Sequence, residues 1–165
     1  MQHRPRRRRG GLTAALKPAI DITTALPRPA DEVWSAATTP AGVNAELGPW
    51  VIMTFPPEAL TGLSGAPVDE PLFVSWLLLL GVIPFDRHVF VLAEVGERHF
   101  IETSHSAMQS LWRHERYVTP DGQGGCTVRD RVTVVPRIGL IAPVVRVVVA
   151  AIFRHRHAQL RRCYG

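Results

Sequence analysis

The sequence predicts an α+β fold in which a run of antiparallel strands is covered by one long C-terminal helix. Three observations predict it. Between His88 and Val135, short stretches alternate apolar and polar residues, the period of strands with one face buried. From Ile138 onward the period becomes that of a helix with a wide apolar arc. Between Pro27 and Pro49, proline and polar residues mark off short segments of helical character.

Taken in order, Ile20–Leu26 alternates and carries Ile22, Thr23 and Thr24, a first strand stopped by Pro27 and Pro29. Asp31 then stands where an N-cap is expected, with Val33, Trp34 and Ala37 as the apolar side of a short helix. Pro40 opens a second short helix to about Leu47, ended by Gly48-Pro49. Trp50–Phe55 reads as a strand closed by Pro56-Pro57. Residues 56–71, with Pro56, Pro57, Pro67, Pro71, Gly62 and Gly65, form a long loop of the kind that often acts as a lid. Leu72–Leu80 is read as a strand because nine residues is short for a helix, with Gly81 and Pro84 as breakers. His88–Val95, Arg98–His105 and Gln109–Val118 alternate in turn. Asp121-Gly122 and Gly124-Gly125 mark a hairpin loop, and Val128–Val135 is the returning strand. After Pro136, a helix over about Leu140–Arg162 completes the chain.

A chain of 165 residues is expected to bury roughly 70% of the surface it exposes when unfolded, here as a single domain over residues 13–165. With 46% apolar and 20% charged residues, wholesale disorder is excluded. The net charge of +5 is local: Arg4, Arg6, Arg7, Arg8 and Arg9 are five of the 19 basic residues, and without residues 1–10 the balance is 14 to 14. The body is neutral, so nucleic-acid binding by the whole surface loses its electrostatic basis, and no nucleic-acid partner is expected. Residues 1–12 are read as a disordered basic tail, with transient contact to a membrane surface as its sharper role. Cys126 and Cys163 are 37 positions apart and form no CxxC, which argues against a disulfide framework and for a cytoplasmic, reducing compartment. Leu72–Leu80 is too short to span a bilayer, and Ile138–Phe153 holds Pro143 and Arg146, so a buried helix is expected there.

The hairpin can be registered from its pattern. With Arg116 opposite Asp130, Trp112 faces Val134, His114 faces Val132 and Val118 faces Val128. Every other partner on that face is apolar, so it points inward, while Arg113, Glu115, Tyr117, Arg129, Arg131 and Thr133 suit water. The register thus predicts an inward row of Trp112, His114 and Arg116, with Asp130 pairing Arg116. Such a row is either a locally satisfied ion pair or the polar end of a ligand cavity. On the long helix, Ile141, Val145, Val148 and Ile152 share one face, continued by His155 and Gln159. Arg154, Arg156, Arg161 and Arg162 crowd its last turns, where cations complement the helix dipole.

Several segments resemble the SRPBCC superfamily, which includes START-like and polyketide cyclase/dehydrase-like proteins. They are Pro29-Ala30-Asp31-Glu32-Val33-Trp34, Gly81-Val82-Ile83-Pro84-Phe85-Asp86-Arg87-His88, Trp112-Arg113-His114-Glu115-Arg116 with Val128-Arg129-Asp130, and Phe153-Arg154-His155-Arg156-His157. The resemblance runs from about Ile20 to Gly165. It implies a helix-grip (START-like) fold: a curved antiparallel sheet around the long C-terminal helix, with two short helices after the first strand and a ligand cavity between sheet and helix.

The leading functional expectation is binding, or transport, of a hydrophobic or amphipathic small molecule such as a lipid or polyketide. Trp76, Trp112, Val132, Val134, Ile141, Val145, Val148 and Ile152 would form apolar walls; His114, Arg116 and Asp130 would hold one polar end; the 56–71 loop would gate entry. The alternative is an aromatase/cyclase-type enzyme with His114 as acid–base group and Arg116 as donor to an enolate oxygen. Ser104, Ser106 and Ser110 lack a G-x-S-x-G setting, so no nucleophile is expected. His99, His105, His114, His155 and His157 offer no ligand spacing: His155 and His157, two apart on a helix, diverge. No metal and no cofactor is expected, and the protein is expected to be a monomer or homodimer. Glu102 lies mid-strand in a register that the pattern leaves open.

Overall fold

The computed structural model describes residues 16–57, 59, 63 and 65–165. The tail expected over residues 1–12 lies outside these, as does part of the 56–71 loop. Strand β1 (Ile20–Leu26) leads to helices α1 (Ala30–Ala37) and α2 (Pro40–Leu47). Six strands follow: β2 (Val51–Met53), β3 (Pro71–Leu79), β4 (Ile83–Val95), β5 (His99–Ser106), β6 (Gln109–Pro120) and β7 (Cys126–Pro136). A 3-10 turn over Gly139–Ile141 delivers the chain into helix α3 (Ala142–Tyr164).

The strands make one seven-stranded sheet ordered β1-β7-β6-β5-β4-β3-β2, every pair antiparallel. The first strand closes onto the last, and α3 folds back over both. This is the helix-grip, START-like architecture. The β6–β7 register is the one the alternation predicts, with Trp112 opposite Val134, His114 opposite Val132 and Arg116 opposite Asp130.

Two apolar clusters form the core. Leu26, Ala30, Val33, Val118, Cys126, Val128 and Leu160 pack at the α1 end of the sheet. Val132, Val134, Val145, Val149 and Phe153 pack at the other, with Trp112, Ile141 and Ile152 against them. Val128 and Val132 belong to different clusters, and the inward residue between them is Asp130. A polar layer therefore separates the two halves of the core.

Four sequence expectations change. Asp31 is not the N-cap of α1: Pro29 holds that position without a side-chain bond, and Asp31 lies in the first turn, where its carboxylate takes Arg98 Nε at 2.6 Å. Strand β2 spans only Val51–Met53, because its neighbour β3 pairs with just those residues. Strand β4 begins at Ile83, not His88: Pro84 fits where the register shifts between Leu77 and Leu78, a bulge that needs no donor there. Finally, α3 is turned by roughly 100°, one residue, from the expected face. Its buried side is Val145, Val149, Phe153, Arg156, His157 and Leu160, while Val148 is 50% exposed.

Helix α2 is fastened at both ends. Thr39 Oγ1 accepts from Gly42 N at 3.0 Å at the start, with Pro40 in the first turn. Near the end, the Asn44 side chain donates to Met53 O at 2.9 Å and accepts from Met53 N at 2.8 Å, tying β2 to the helix.

Candidate functional site

The polar layer is built on the inward rows of β5, β6 and β7. Arg116 donates through Nε to Asp130 Oδ1 at 2.8 Å and through Nη2 to Asp130 Oδ2 at 2.6 Å. Its other prongs meet Glu46 from α2, Nη1 to Oε1 and Nη2 to Oε2, each at 2.8 Å. Arg156 of α3 donates to the same Glu46 at 2.9 Å and lies 4.9 Å from the Phe153 ring centroid. Asp130 also meets His114 Nε2 at 2.7 Å and His157 Nε2 at 3.0 Å. His157 Nδ1 is 2.8 Å from Thr24 Oγ1, so the imidazole that donates to Asp130 accepts from the hydroxyl.

Farther along, Glu102 bonds His88 Nε2 at 2.6 Å, and its other oxygen is 3.8 Å from His114 Nδ1. Glu102 pairs with His114 across β5 and β6, which settles its direction as inward. His114 itself is gripped edge-on between Phe100 and Phe153, at centroid distances of 5.0 and 4.9 Å. With neutral imidazoles the layer holds three carboxylates (Glu46, Glu102, Asp130) against two guanidiniums (Arg116, Arg156). Burial alone would raise the Asp130 carboxyl; the Arg116 guanidinium and the bond from His114 overcome it and hold the group well below the ordinary carboxylate range. Burial likewise opposes ionisation of Glu102, and the flanking His114 and His88 hold its carboxyl down to about 2. The Arg116 guanidinium loses hydration on burial, yet Asp130 and Glu46 raise its pKa well above the usual value.

The layer is sealed: Arg116, Asp130 and His157 are each 0% exposed. Sequence reasoning found Arg116, Asp130 and His114 but not Glu46, Arg156, His88 or Thr24. It also found nothing to orient His114, whereas Asp130 does so directly. Among the described residues no group of His, Cys, Asp and Glu is placed to hold a metal ion.

Beside the layer, α3 and the α2–β2 corner leave an open crevice of about 300 Å³. It is lined by Leu47, Trp50, Val51, Val148, Ala151, Ile152 and His155. His155 Nε2 donates to Gly48 O at 2.6 Å, so the one titratable wall residue is already engaged. Of the residues singled out in the sequence, Val148 and Ile152 line this crevice. Val132, Val134 and Val145 are in the core, with Ile141 and Trp112 packed against them. Trp76 points to the outer face of β3 and is half exposed. On the concave face, Ser75 stands opposite His88 with its hydroxyl buried and without a protein partner.

The fold is START-like: one antiparallel sheet gripping a long C-terminal helix. Solved structures of the same fold include a protein from Chromobacterium violaceum (TM-score 0.67, 13% identity, 88% of this chain and 95% of that one). A START superfamily protein from Mycobacterium smegmatis gives a TM-score of 0.65 at 11% identity, over 88% of this chain and 95% of that one. A Thalictrum norcoclaurine synthase point mutant in complex with a transition-state analogue gives 0.61 at 12% identity, over 87% and 91%. The chain belongs to the DUF8410 family, a domain of unknown function, whose model matches residues 24–164. No curated protein matches it in sequence.

Proposed function

We propose that residues 13–165 act as one domain that binds a hydrophobic or amphipathic small molecule between α3 and the sheet. The observation that carries this reading is the apolar crevice of about 300 Å³, within the size range of small-molecule sites. Ile152 belongs to both the crevice wall and the packing around the Val132–Val145–Phe153 cluster, so a bound molecule would extend that cluster outward. Its apolar lining favours hydrocarbon or aromatic surface over a sugar or nucleotide. The Arg116 donors are engaged by Asp130 and Glu46, so the polar end of the ligand lies outside the buried layer.

The catalytic alternative places His114 in contact with substrate. At 3% exposure, with Nε2 on Asp130 and an aromatic ring on either side, His114 is better suited to holding the sheet interior than to exchanging protons with a ligand. Native mass spectrometry of the purified protein, with extraction of any bound molecule, tests the reading. A co-purified apolar compound, lost in Ala151→Trp, supports it. Protein that is empty and also takes up no fatty-acid or aromatic probe overturns it.

A further inference from the structure

Most of the large apolar side chains left in water gather at one end of the molecule. The strand registers define that end: it holds the β3–β4 turn, the β5–β6 turn, the start of β2, the end of β7 and the first turns of α3. Bonds between neighbours trace a rim around it. Trp50 O accepts from Leu80 N at 2.9 Å, which ties the α2–β2 corner to the β3–β4 turn. That turn carries Leu80, Val82 and Ile83, all exposed, and Leu80 sits at φ 52°, a conformation usually given to Asn or Gly. Past exposed Phe85, the Asp86 carboxylate accepts from Met108 N at 3.2 Å, and Met108 O accepts from Arg137 N at 3.0 Å. The chain then presents Ile138, Leu140, Val144 and Val147 to water, with Leu140 91% exposed. Val148 returns the rim to Trp50 across the shared crevice.

The charge on this end has one sign. In segments 48–53, 77–88, 105–112 and 134–152 the sole acidic residue is Asp86, which is buried and also bonded to the Arg87 amide. Arg87 and Arg137 are exposed there. Arg137 donates to Ser106 O at 3.0 Å, and Arg146 donates to Lys17 O at 3.1 Å and Pro18 O at 3.0 Å. These partners are carbonyls, so the positive charge is not neutralised. The same bonds place Lys17 at this end, because Ala19 N bonds Val132 O on the way into β1.

An apolar rim, basic residues among it and no exposed carboxylate among its described residues form a surface complementary to a bilayer carrying anionic lipid. Among the described residues no helix is long and apolar enough to cross a membrane, so contact is with its surface. We propose that the protein docks by this end on anionic lipid membranes, its crevice mouth between Trp50 and Val148 held at the lipid interface. Docking rests on the rim and its charge and needs no ligand in the crevice.

Co-sedimentation of the full chain with phosphatidylcholine vesicles, with and without phosphatidylglycerol, tests this. Binding is expected on the anionic vesicles, weakening as salt is raised, and falling about tenfold or more in the double variant Val82→Asp/Leu140→Asp. Both positions are strongly exposed, and matching circular-dichroism melts confirm that the variant folds. Brominated lipid should quench Trp fluorescence in the parent protein, with much of that quenching lost in Trp50→Phe. Absence of vesicle binding overturns the proposal, as does binding unaffected by the double variant. A dimer in sedimentation equilibrium that the double variant dissolves, without vesicle binding by either, overturns it in favour of a second copy of this chain on the rim. Probe uptake measured without vesicles reports on the crevice separately.

Discussion

Arg116 on β6 and Glu46 on α2, 70 residues apart in the chain, meet in a two-pronged pair with both N–O distances at 2.8 Å. Because Glu46 also takes Arg156 from α3, one carboxylate joins sheet, short helix and long helix. The next residue, Leu47, is a wall of the crevice, and Asn44 one turn earlier clamps β2. The buried layer therefore determines where the crevice wall stands.

Removing the central cation should be expensive. Arg116→Ala leaves Asp130 and Glu46 buried without their main partner, and a loss of about 3–5 kcal/mol is expected in urea denaturation. Arg116→Lys should recover only part of this, since an ammonium cannot make the double fork. A loss below about 1 kcal/mol for Arg116→Ala would show that the layer relaxes or admits water.

The layer also sets the acid limit of the fold. Glu102 has a folded pKa depressed to about 2 from the ordinary 4.5, and Asp130 and Glu46 are depressed as well. Carboxyls depressed on folding stabilise the protein above their unfolded pKa, and that stabilisation is lost as pH falls through the folded value. Stability from these groups should be level above about pH 5 and fall steeply between about pH 4.5 and pH 2, by a few kcal/mol from Glu102 alone. Thermal melts across that range check it; in Glu102→Gln the acid limb should be shallower.

The α1–α2 corner offers a graded pair of substitutions. Thr39→Ala removes the acceptor for Gly42 N and should cost about 1 kcal/mol. Gly42→Ala should cost more, about 2 kcal/mol, because the new methyl would overlap the Ala36 carbonyl, a backbone group that cannot swing away. Melting both variants tests the order.

Thiol chemistry should separate the two cysteines. Cys126 is buried in the core cluster at the α1 end of the sheet, and burial pushes its thiol up, whereas Cys163 is exposed near the end of α3. Native protein should titrate one thiol with a thiol reagent and denatured protein two; two in the native state would mean that this cluster opens readily.

The β6–β7 register was legible because a slip of one residue would have turned Arg129 and Arg131 inward. Strand β3 was legible by its length and β4 and β5 by alternation, though their ends were not, since the bulge that accommodates Pro84 leaves no local mark. The orientation of α3 was missed for a physical reason. Arg156 and His157 are buried, held by Glu46 and Asp130, and a search for apolar residues reads them as solvent-facing. The expected face, with Val148 and Ile152, instead borders the crevice. Glu46 was illegible altogether, because its partner is brought to it by tertiary folding alone.

Strand β1 lies at the sheet edge and pairs only with β7, whose first residue comes 100 positions after the last residue of β1. During synthesis β1 leaves the ribosome with no partner to receive it, its Ile20, Ile22, Thr24 and Leu26 row uncovered until β7 has emerged. The sheet therefore closes late, once β7 has been made, and such long-range pairing is slow. A chaperone that shields β1 until then should raise the yield of folded protein without changing the stability of the finished fold.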